Sequence, residues 1–395
     1  MKKLLVPKLR FNEFKDEWNK INLKKLLSFK NGINSDKDSY GHGIKYISVG
    51  DILNNTYITY DKIKGLVDIN NKVLKENSVE YGDIVFQRSS ETFNDIGQAN
   101  VYLDKEKIAT FGGFVIRGKK IGNYNPLFFN YLLKSPCNRK KVIIKGAGAQ
   151  HYNISQEELE KINVNFTDMN EQEKIANFLS LLDKKIDLQN KRIEALKIYK
   201  KGLIQRIYNR TWNNKIKMEE ILIQKSIRNT NDEIHNVYSV SNKDGFILQT
   251  EHFKDRIVAS EDTRNYKVVV QNDFAYNPAR INVGSIARMK QDIRGIISPM
   301  YICFKCNEKI LPEYLEYFFE SSKFIYEMSK RLEGSVRMCL SYESMLNIPI
   351  ELPNKNEQEK LSNFLNSLSN KIKLEEKKFM ELNKLKKGLL QKMFV

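Results

Sequence analysis

The chain has 395 residues, and its 66 Lys and Arg against 48 Asp and Glu give a formal net charge of +18. This length predicts two domains or slightly more, each able to bury a core. The charge favours a polyanionic partner, nucleic acid first and an anionic membrane surface second, although a Lys- and Asn-rich genome would give the same excess. No stretch approaches the roughly 20 apolar residues that span a bilayer, so we expect a soluble, cytoplasmic protein.

The cysteines are too few and too scattered for a disulfide framework. Cys303 and Cys306 have the spacing of half a zinc site, but no second Cys or His pair accompanies them. We interpret them as ordinary strand residues and expect no metal site.

Residues 1–169 predict a first globular unit of mixed strands and helices. Short strands are predicted at "KYISVGDI" (45–52), "DIVFQ" (83–87) and "FGGFVIR" (111–117). An amphipathic helix is predicted at "PLFFNYLLKS" (126–135).

Residues 170–209 predict a long helix whose apolar residues step alternately by four and three, as in a coiled coil. It begins at "NEQEK" (170–174), where Asn170 suits the N-cap and Glu173 completes a capping box. The predicted seam of this helix includes Leu179, Leu182, Ile186, Ile193 and Leu196.

Residues 210–355 predict a second globular unit, and residues 356–395 a second long helix. The strands are "VYSVS" (237–241), "KVVVQNDFAY" (267–276) and "ISPMYICF" (297–304), followed by a helix at "PEYLEYFFESSKFIYEMS" (312–329). "NEQEK" recurs at 356–360 with Asn356 as the expected N-cap. The seam of this helix includes Leu365, Leu368, Ile372, Phe379 and Leu382.

The chain is an internal repeat. The two "NEQEK" copies align at an offset of 186, and about half the positions from there to the chain end are identical. The second unit starts at the far end of the first helix, so helices that pack through matched seams must run antiparallel. We therefore predict an α+β protein with two units joined by two antiparallel helices, a pseudo-two-fold dumbbell whose chain ends meet.

A basic, duplicated chain with fixed spacing suits the reading of two separated DNA half-sites, and the divergence of its two units predicts different half-sites. Gln and Asn can pair with both edge positions of adenine, and Arg with guanine. Polar loops after matching strands and after Gly148 and Gly334 are the candidates, although a polar loop without base contact stays an alternative at each. The base-reading candidates are Gln87, Arg88, Ser89, Ser90, Asn94, Gln150, His151, Asn153, Asn277, Arg280, Asn282 and Arg337.

Other basic residues are better candidates for the phosphate backbone, with solvated surface as the alternative. They are Lys119, Lys120, Lys140, Lys141, Lys290 and Arg331. Two other classes of protein would show part of the same sequence features. A tandem-domain transcriptional regulator would share the charge, and a coiled-coil adaptor would share the helices.

Four segments carry a resemblance to a known family: "VPKLRFNEFKDEW" (6–18), "GDIVFQRS" (82–89), "NIPIELPNKNEQEKL" (347–361) and "KKGLLQKMF" (386–394). Over its full length the chain resembles the specificity subunit of a Type I restriction-modification enzyme. The resemblance implies two target-recognition domains, a central and a distal conserved helix, double-stranded DNA as ligand, and assembly with two modification and two restriction subunits. It also implies that S-adenosylmethionine, ATP and Mg²⁺ are used by those partners.

The sequence fits a non-catalytic role. Adenine methyltransferases carry a Pro-Pro-aromatic motif, whereas Asn277-Pro278-Ala279-Arg280 lacks the second proline and the aromatic residue. No GxxxxGK[ST] phosphate cradle occurs in the chain. We therefore expect no catalytic residue and no bound cofactor in this subunit.

Overall fold

The computed structural model describes residues 5–148, 151–242, 244–252, 262–334 and 338–395. The chain forms two compact units. Unit 1 comprises Met1–Asn190 together with Lys377–Val395, and unit 2 comprises Lys191–Glu376. Both boundaries fall inside long helices, so each unit contains one globular domain and a segment of each long helix.

Unit 1 alternates short strands with short helices before the first long helix. Its strands are Asn19–Asn22 (β1), Leu27–Asn31 (β2), Tyr40–Ile47 (β3), Gly65–Val67 (β4), Ile84–Gln87 (β5), Ser89–Ser90 (β6), Ala99–Val101 (β7), Thr110–Phe111 (β8), Val115–Lys120 (β9), Tyr152–Asn153 (β10) and Asn163–Phe166 (β11). Its helices are Val49–Asn54 (α1), Asn71–Glu76 (α2), Pro126–Lys134 (α3), Pro136–Ile143 (α4), Gln156–Glu160 (α5) and the first part of Met169–Tyr208 (α6).

An antiparallel sheet in the order β2-β9-β5-β7 supports the main core of unit 1. A second sheet, β4-β3-β8, joins β3 to β4 antiparallel and to β8 parallel. Strand β1 pairs with β11, and β6 pairs with β10. Trp18, Phe128 and Phe394 lie in one buried cluster, and Ile47 and Tyr102 lie in another.

Unit 2 repeats this plan. Its strands are Asn214–Lys217 (β12), Leu222–Lys225 (β13), Val237–Ser241 (β14), Gly245–Leu248 (β15), Lys267–Val269 (β16), Phe274–Tyr276 (β17), Ile286–Arg288 (β18), Gly295–Ile297 (β19), Ile302–Cys306 (β20) and Pro349–Leu352 (β21). Its helices are Gln249–His252 (α7), Pro312–Phe319 (α8), Ser322–Ser329 (α9), Tyr342–Leu346 (α10) and the first part of Lys355–Lys392 (α11). Single 3₁₀ turns in the two units are Leu23–Lys25, Lys37–Ser39, Tyr60–Lys62, Phe93–Asp95, Met218–Glu220 and Ile281–Val283.

The predicted fold class is confirmed, because the two units share one α+β topology. The order β13-β20-β17-β18 matches β2-β9-β5-β7, and β12 pairs with β21 as β1 pairs with β11. The register also matches, since Phe86 pairs with Ile116 in unit 1 and Tyr276 pairs with Ile302 in unit 2. The parallel pair β3-β8 recurs as β14-β19.

Two predicted elements are wrong in part. The strand predicted over 45–52 ends at Ile47, because Ser48 and Asp51 start helix α1 with a reciprocal cap; the Ser48 hydroxyl donates to the Asp51 carboxylate at 2.7 Å. The helix predicted over 312–329 is two helices. Ser321 separates them by donating to the Phe318 carbonyl at 2.6 Å and accepting the Phe324 N–H at 3.2 Å.

Three predicted strands are also interrupted, each by a turn. The segment 267–276 splits at Asn272, whose φ of 69° lies in the left-handed region. The segments 111–117 and 297–304 split at the tight turns Gly112–Val115 and Ser298–Tyr301. The turns contain ordinary turn-forming residues, Asn272, the pair Gly112-Gly113 and the pair Ser298-Pro299, but apolar residues on both sides led each pair of strands to be predicted as one.

The predicted N-caps of the long helices, Asn170 and Asn356, are wrong. Each helix is capped two residues earlier, by Asp168 and by Asn354. The Asp168 Oδ1 accepts the backbone N–H of Asn170 at 2.9 Å, and the Asn354 Oδ1 accepts that of Glu357 at 2.9 Å. The acids predicted to complete a capping box therefore lie past the first turn.

Within each unit the segments of the two long helices run antiparallel. In unit 1 the Lys386 ammonium lies 2.5 Å from the Asp183 carboxylate, while Phe394 packs on Trp18, whose indole binds Glu171. The predicted seam residues are buried at Leu179, Ile193, Leu365, Leu368 and Ile372 and half-buried at Leu182, Ile186, Leu196, Phe379 and Leu382.

In unit 2 the same orientation follows from three contacts. Lys197 lies 2.9 Å from Glu376, and the Lys200 ammonium lies 4.9 Å from the centre of the Tyr317 ring, whose hydroxyl donates to Asn366 at 2.7 Å. The residue number falls along α11 as it rises along α6, which defines antiparallel segments. None of the helices in the described ranges is both long and apolar enough to cross a membrane.

The recurring "NEQEK" fixes a domain to its helix through its glutamine. The Gln172 Oε1 accepts the backbone N–H of Asn125 at 2.9 Å, and the Gln358 Oε1 accepts that of Leu311 at 2.9 Å. Asn125 and Leu311 directly precede the prolines that begin α3 and α8. Both glutamines are buried, so each ties the first turn of a short helix to the first turn of a long one.

We expect Gln358→Leu to destabilise unit 2 by about 1–3 kcal/mol, because the Leu311 N–H loses its buried acceptor. Gln172→Leu should have the same effect on unit 1. Urea unfolding of the full chain measures both. The exposed neighbour in the motif provides the control, since Glu359→Gln should change the free energy of unfolding by less than about 0.5 kcal/mol. Equal effects of Gln358→Leu and the control would show that the motif has no anchoring role.

Candidate nucleic-acid interface

The two predicted reading loops of unit 1 meet at one surface. Strand β6, which carries Ser89 and Ser90, pairs with β10, which carries Asn153. The Ser89 hydroxyl donates to the Asn153 side-chain oxygen at 2.5 Å, and the Ile154 N–H donates to the Arg88 carbonyl at 3.0 Å. The sequence predicted both loops but not their pairing, which is a long-range contact.

Several of these candidates hold the loop itself. Gln87 ends β5 and is buried, and its amide donates to the Ser89 carbonyl at 2.8 Å. Ser90 is buried and accepts the Thr92 N–H at 3.1 Å. The Gln87 Oε1 is a buried acceptor with no hydrogen-bond partner in the described chain. Little of either side chain is therefore presented to a base in this conformation.

The other candidates of unit 1 reach solvent. Asn94, His151 and Asn153 are exposed, and Arg88 is half-buried with its guanidinium 3.3 Å from the Gly113 carbonyl. Gln150 lies outside the described residues. These exposed amide, imidazole and guanidinium groups suit hydrogen bonds to base edges. Their role in base reading stays a prediction.

Arg139 on α4 is a residue that the sequence did not single out. Its guanidinium donates to the carbonyl oxygens of Asn94, Ile96 and Gly97 at 3.0, 2.8 and 2.8 Å. Burial lowers the pKa of Arg139 to about 10, so the group stays charged at neutral pH. One side chain thus fixes the loop that carries Asn94. A lone Arg on a helix gives no sequence signal for this contact.

Unit 2 forms the matching surface with different residues. Asn277 is buried, and its Oδ1 accepts the Ala279 N–H at 3.1 Å, whereas Arg280 and Asn282 are exposed. The Leu340 N–H donates to the Pro278 carbonyl at 3.1 Å, which joins the loop after β17 to the chain beyond Gly334. Arg337 lies outside the described residues.

The phosphate-backbone candidates of unit 1 are spread over two sites. Lys119 and Lys120 lie at the end of β9 away from the loops; Lys119 lies 3.6 Å from a Glu80 carboxylate oxygen, and burial lowers the pKa of Lys120. Lys140 on α4 is exposed, while the Lys141 ammonium donates to the Asn138 side chain at 2.9 Å.

In unit 2 both backbone candidates lie beside acids. The Lys290 ammonium is 2.6 Å from Glu316, and the Arg331 guanidinium is 2.7 Å from Glu327. Partial compensation of these charges weakens the attraction to phosphate, because the neighbouring carboxylate repels it. Their role in backbone contact stays a prediction.

The cysteine pair is part of the sheet, as interpreted from the sequence. Cys303 and Cys306 both lie in β20, and burial raises the pKa of each to about 12, which keeps the thiols protonated at neutral pH. Among the residues that the structure describes, no group of three or more His, Cys, Asp or Glu side chains is placed to hold a metal ion.

The geometry defines a duplicated α+β protein in which each unit presents paired polar loops at one end of its antiparallel sheet. The model of the Type I restriction modification DNA specificity domain matches residues 15–197 and 215–384, once in each repeat. The chain belongs to this family.

Two curated relatives come from Methanocaldococcus jannaschii. The putative type I restriction enzyme MjaX specificity subunit is 27% identical over 210 residues, which cover 51% of this chain and 48% of the relative. The Type I restriction enzyme MjaVIII specificity subunit is 25% identical over 293 residues, covering 67% and 68%. The chain thus spans about half the length of the first relative and about two thirds of the second.

Two solved structures share the fold. The S subunit of a Type-I restriction-modification system from M. genitalium matches with a TM-score of 0.58 and 18% identity, covering 99% of both chains. A chain from a structural study of complex assembly and conformational transition of the type I R-M system matches with a TM-score of 0.58 and 11% identity, covering 94% of this chain and 96% of that one.

We expect Arg139→Met to loosen the loop at 94–97, because three carbonyls lose a charged donor at once. The amides of Gly97 and Gln98 should exchange with solvent about tenfold faster or more, since a hydrogen bond to a charged group is worth about 1.5–3 kcal/mol. Hydrogen exchange of the full chain measures this. Lys140→Met removes a positive charge from the adjacent, exposed position and should leave these amides unchanged. Equal exchange in the two variants would contradict the assigned role of Arg139.

Proposed function

We propose that this chain is the DNA sequence-specificity subunit of a Type I restriction-modification enzyme and that each unit recognises one half of a bipartite, asymmetric DNA target. The observation that carries this proposal is the duplicated plan: both units have the same strand order and the same glutamine anchor, but different loop residues. Two different readers on one chain suit two different half-sites at a fixed distance.

The loop chemistry supports DNA as the ligand. Exposed Asn94, His151 and Asn153 in unit 1, and Arg280 and Asn282 in unit 2, offer donors and acceptors of the kind that read base edges. The net charge of +18 supplies a sequence-independent attraction to phosphate that weakens as salt concentration rises. A protein that is held on DNA by its charge and that selects bases through its loops binds DNA in a sequence-specific way.

We assign the chemistry to partner subunits, as the family resemblance implies. The chain itself would bind no cofactor, and two modification and two restriction subunits would use S-adenosylmethionine, ATP and Mg²⁺ to methylate adenine or cleave DNA in the cytoplasm. The sequence supports this division, since it has neither a GxxxxGK[ST] phosphate cradle nor a Pro-Pro-aromatic methyltransferase motif.

Exchange of residues 17–169 for the corresponding domain of another family member tests the division between units. With the modification subunit present, a genome-wide map of methylated adenine should show that one half of the target changes while the other half and the spacer length persist. The reciprocal exchange of residues 210–355 should change only the other half.

The result separates this proposal from its alternatives. Alteration of both half-sites by one exchange would contradict the assignment of one half-site to each unit. A tandem-domain regulator would bind its target without the modification subunit and direct no methylation. A coiled-coil adaptor would show no DNA affinity that falls with salt.

A further inference from the structure

Two matched turns each present a large apolar side chain to solvent. In unit 1 the turn Gly112–Val115 joins β8 to β9, and the Val115 N–H donates to the Gly112 carbonyl at 2.9 Å. In unit 2 the turn Ser298–Tyr301 lies between β19 and β20, and the Tyr301 N–H donates to the Ser298 carbonyl at 3.1 Å. The two turns are offset by 186 residues, as the long helices are.

The third residue of each turn is the exposed one. Phe114 is 70% exposed and is the most exposed large apolar residue in the described part of unit 1, and Met300 is 58% exposed. Single exposed apolar residues are common and need no special cause. Here the same turn position is apolar and exposed twice, although the turn sequences, Gly-Gly-Phe-Val and Ser-Pro-Met-Tyr, share no residue.

The backbone holds Phe114 outward. Its carbonyl accepts the Arg88 N–H at 2.8 Å, and the Gly112 N–H donates to the Ile47 carbonyl at 3.0 Å. Val115, the next residue, pairs with Gln87 in the sheet. The turn is therefore fixed on both sides by strands, which keeps the Phe114 backbone at the surface.

The equivalent turn in unit 2 is held by different contacts. Pro299 fixes its own φ, and Tyr301 is buried with its carbonyl accepting the Lys267 ammonium at 2.6 Å. Met300 thus stands between two restrained residues. Its flexible side chain contrasts with the flat ring of Phe114, but both are unbranched at Cβ and project from the tip.

Each tip lies beside the loop that was assigned to base reading. Phe114 lines one surface depression together with Gln87, Ser89, Ser90 and His151. In unit 2, Tyr276 pairs with Ile302, so the end of β17 that leads into Asn277 lies beside the start of β20, which directly follows the Met300 turn. An apolar tip at the rim of a polar reading surface contacts whatever that surface binds.

We propose that Phe114 and Met300 are apolar wedges that insert against the stacked base pairs of their half-sites and determine part of the specificity. Phe and Met are among the residues that enter between base steps and loosen stacking. Methylation of a base requires that it leave the stack, and a loosened stack lowers the cost of that step. This inference rests on the proposed function, because it needs DNA at the loops.

The salt dependence distinguishes a wedge from a charge contact. For the full chain assembled with its modification subunits, Phe114→Ala should weaken binding to the target duplex roughly 5- to 100-fold, the range of an aromatic contact to one base. The slope of log affinity against log salt should stay unchanged, because no phosphate charge is lost. Phe114→Leu should recover part of the affinity. Fluorescence of 2-aminopurine placed through the half-site should rise on binding of the parent complex and rise less with Phe114→Ala.

Half-site duplexes localise the effect. On a duplex with the first half-site scrambled, Phe114→Ala should cause no further loss, and Met300→Ala should behave in the reciprocal way. Ile121→Ala is the matched control, because Ile121 is 60% exposed just beyond the opposite end of β9, and it should bind as the parent does.

Three results would overturn the inference. Unchanged affinity and unchanged 2-aminopurine fluorescence in Phe114→Ala would show that Phe114 is not a wedge. The proposed function would still be supported if the parent complex discriminates its target. Loss of assembly with the modification subunits in the absence of DNA would make Phe114 a protein contact. A parent complex that does not discriminate its target would overturn the proposed function and the wedge together.

Discussion

An aromatic side chain near the end of each long helix completes the core of a globular domain. In unit 1 the Phe394 ring lies 6.1 Å from Trp18 and 5.7 Å from Phe128. In unit 2 the matching Tyr208 lies 5.0 Å from Tyr314, and its hydroxyl donates to the Tyr314 carbonyl at 2.5 Å. Burial of such a ring contributes several kcal/mol, so each domain depends on a helix that begins after the other domain. The packing that completes each domain core therefore also fixes the position of a long helix.

Both units have the same contact between a short helix and the long helices, but the polar partners in that contact differ. Tyr131 and Tyr317 occupy matching places on α3 and α8. Lys386 and Lys200, which take the next seam positions after Leu382 and Leu196, lie over their rings at 5.8 and 4.9 Å. The Tyr131 hydroxyl donates to Asp183 at 2.7 Å, whereas Tyr317 donates to an asparagine. In each unit, a lysine at a coiled-coil seam position thus lies where the domain packs on the long helices.

The two units differ in the loops and in the contacts made by the segment that precedes β1. Arg139 fixes the loop at 94–97, but the matching residue in unit 2 is the exposed Ile325. Arg10 makes a bidentate ion pair with the buried Glu171, which also accepts the Trp18 indole N–H at 3.1 Å. Among the described residues of unit 2, no arginine forms an ion pair with Glu357, which matches Glu171, and the half-buried Trp212 has a buried indole N–H without a hydrogen-bond partner.

Much of the fold could be predicted from sequence because its signals are local or repeated. A 3.5-residue apolar period sustained over a long stretch indicates a coiled-coil helix, and two copies at one offset indicate a duplicated plan. The turns inside 111–117 and 297–304 were missed although Gly112-Gly113 and Ser298-Pro299 are turn formers, because the apolar residues on both sides favoured one continuous strand. The Arg10–Glu171 pair joins residues 161 positions apart, and nothing in either local sequence marks the other.

Site residues were harder to predict because their exposure depends on strand register. Gln87 follows three buried strand residues, and a polar residue at that position looks like the start of an exposed loop. In the structure it pairs with Val115 inside the sheet and is buried. Lys119 and Lys120 look close to the loops in sequence, but β9 separates them from Val115 by four to five residues, about 13–17 Å along an extended strand.

This separation along β9 also keeps the loops apart from the glutamine anchor. One end of β9 carries the turn at Gly112–Val115 beside the reading loops, and the chain leaves the other end towards Asn125 and its bond to Gln172. In unit 2, β20 runs from the turn at Ser298–Tyr301 towards Leu311 and its bond to Gln358. Because the loops and the anchor occupy opposite ends of one strand, a substitution in a loop removes no contact from the anchor. Effects at such distant sites add with little coupling, so we expect loop substitutions to leave the helix register unchanged.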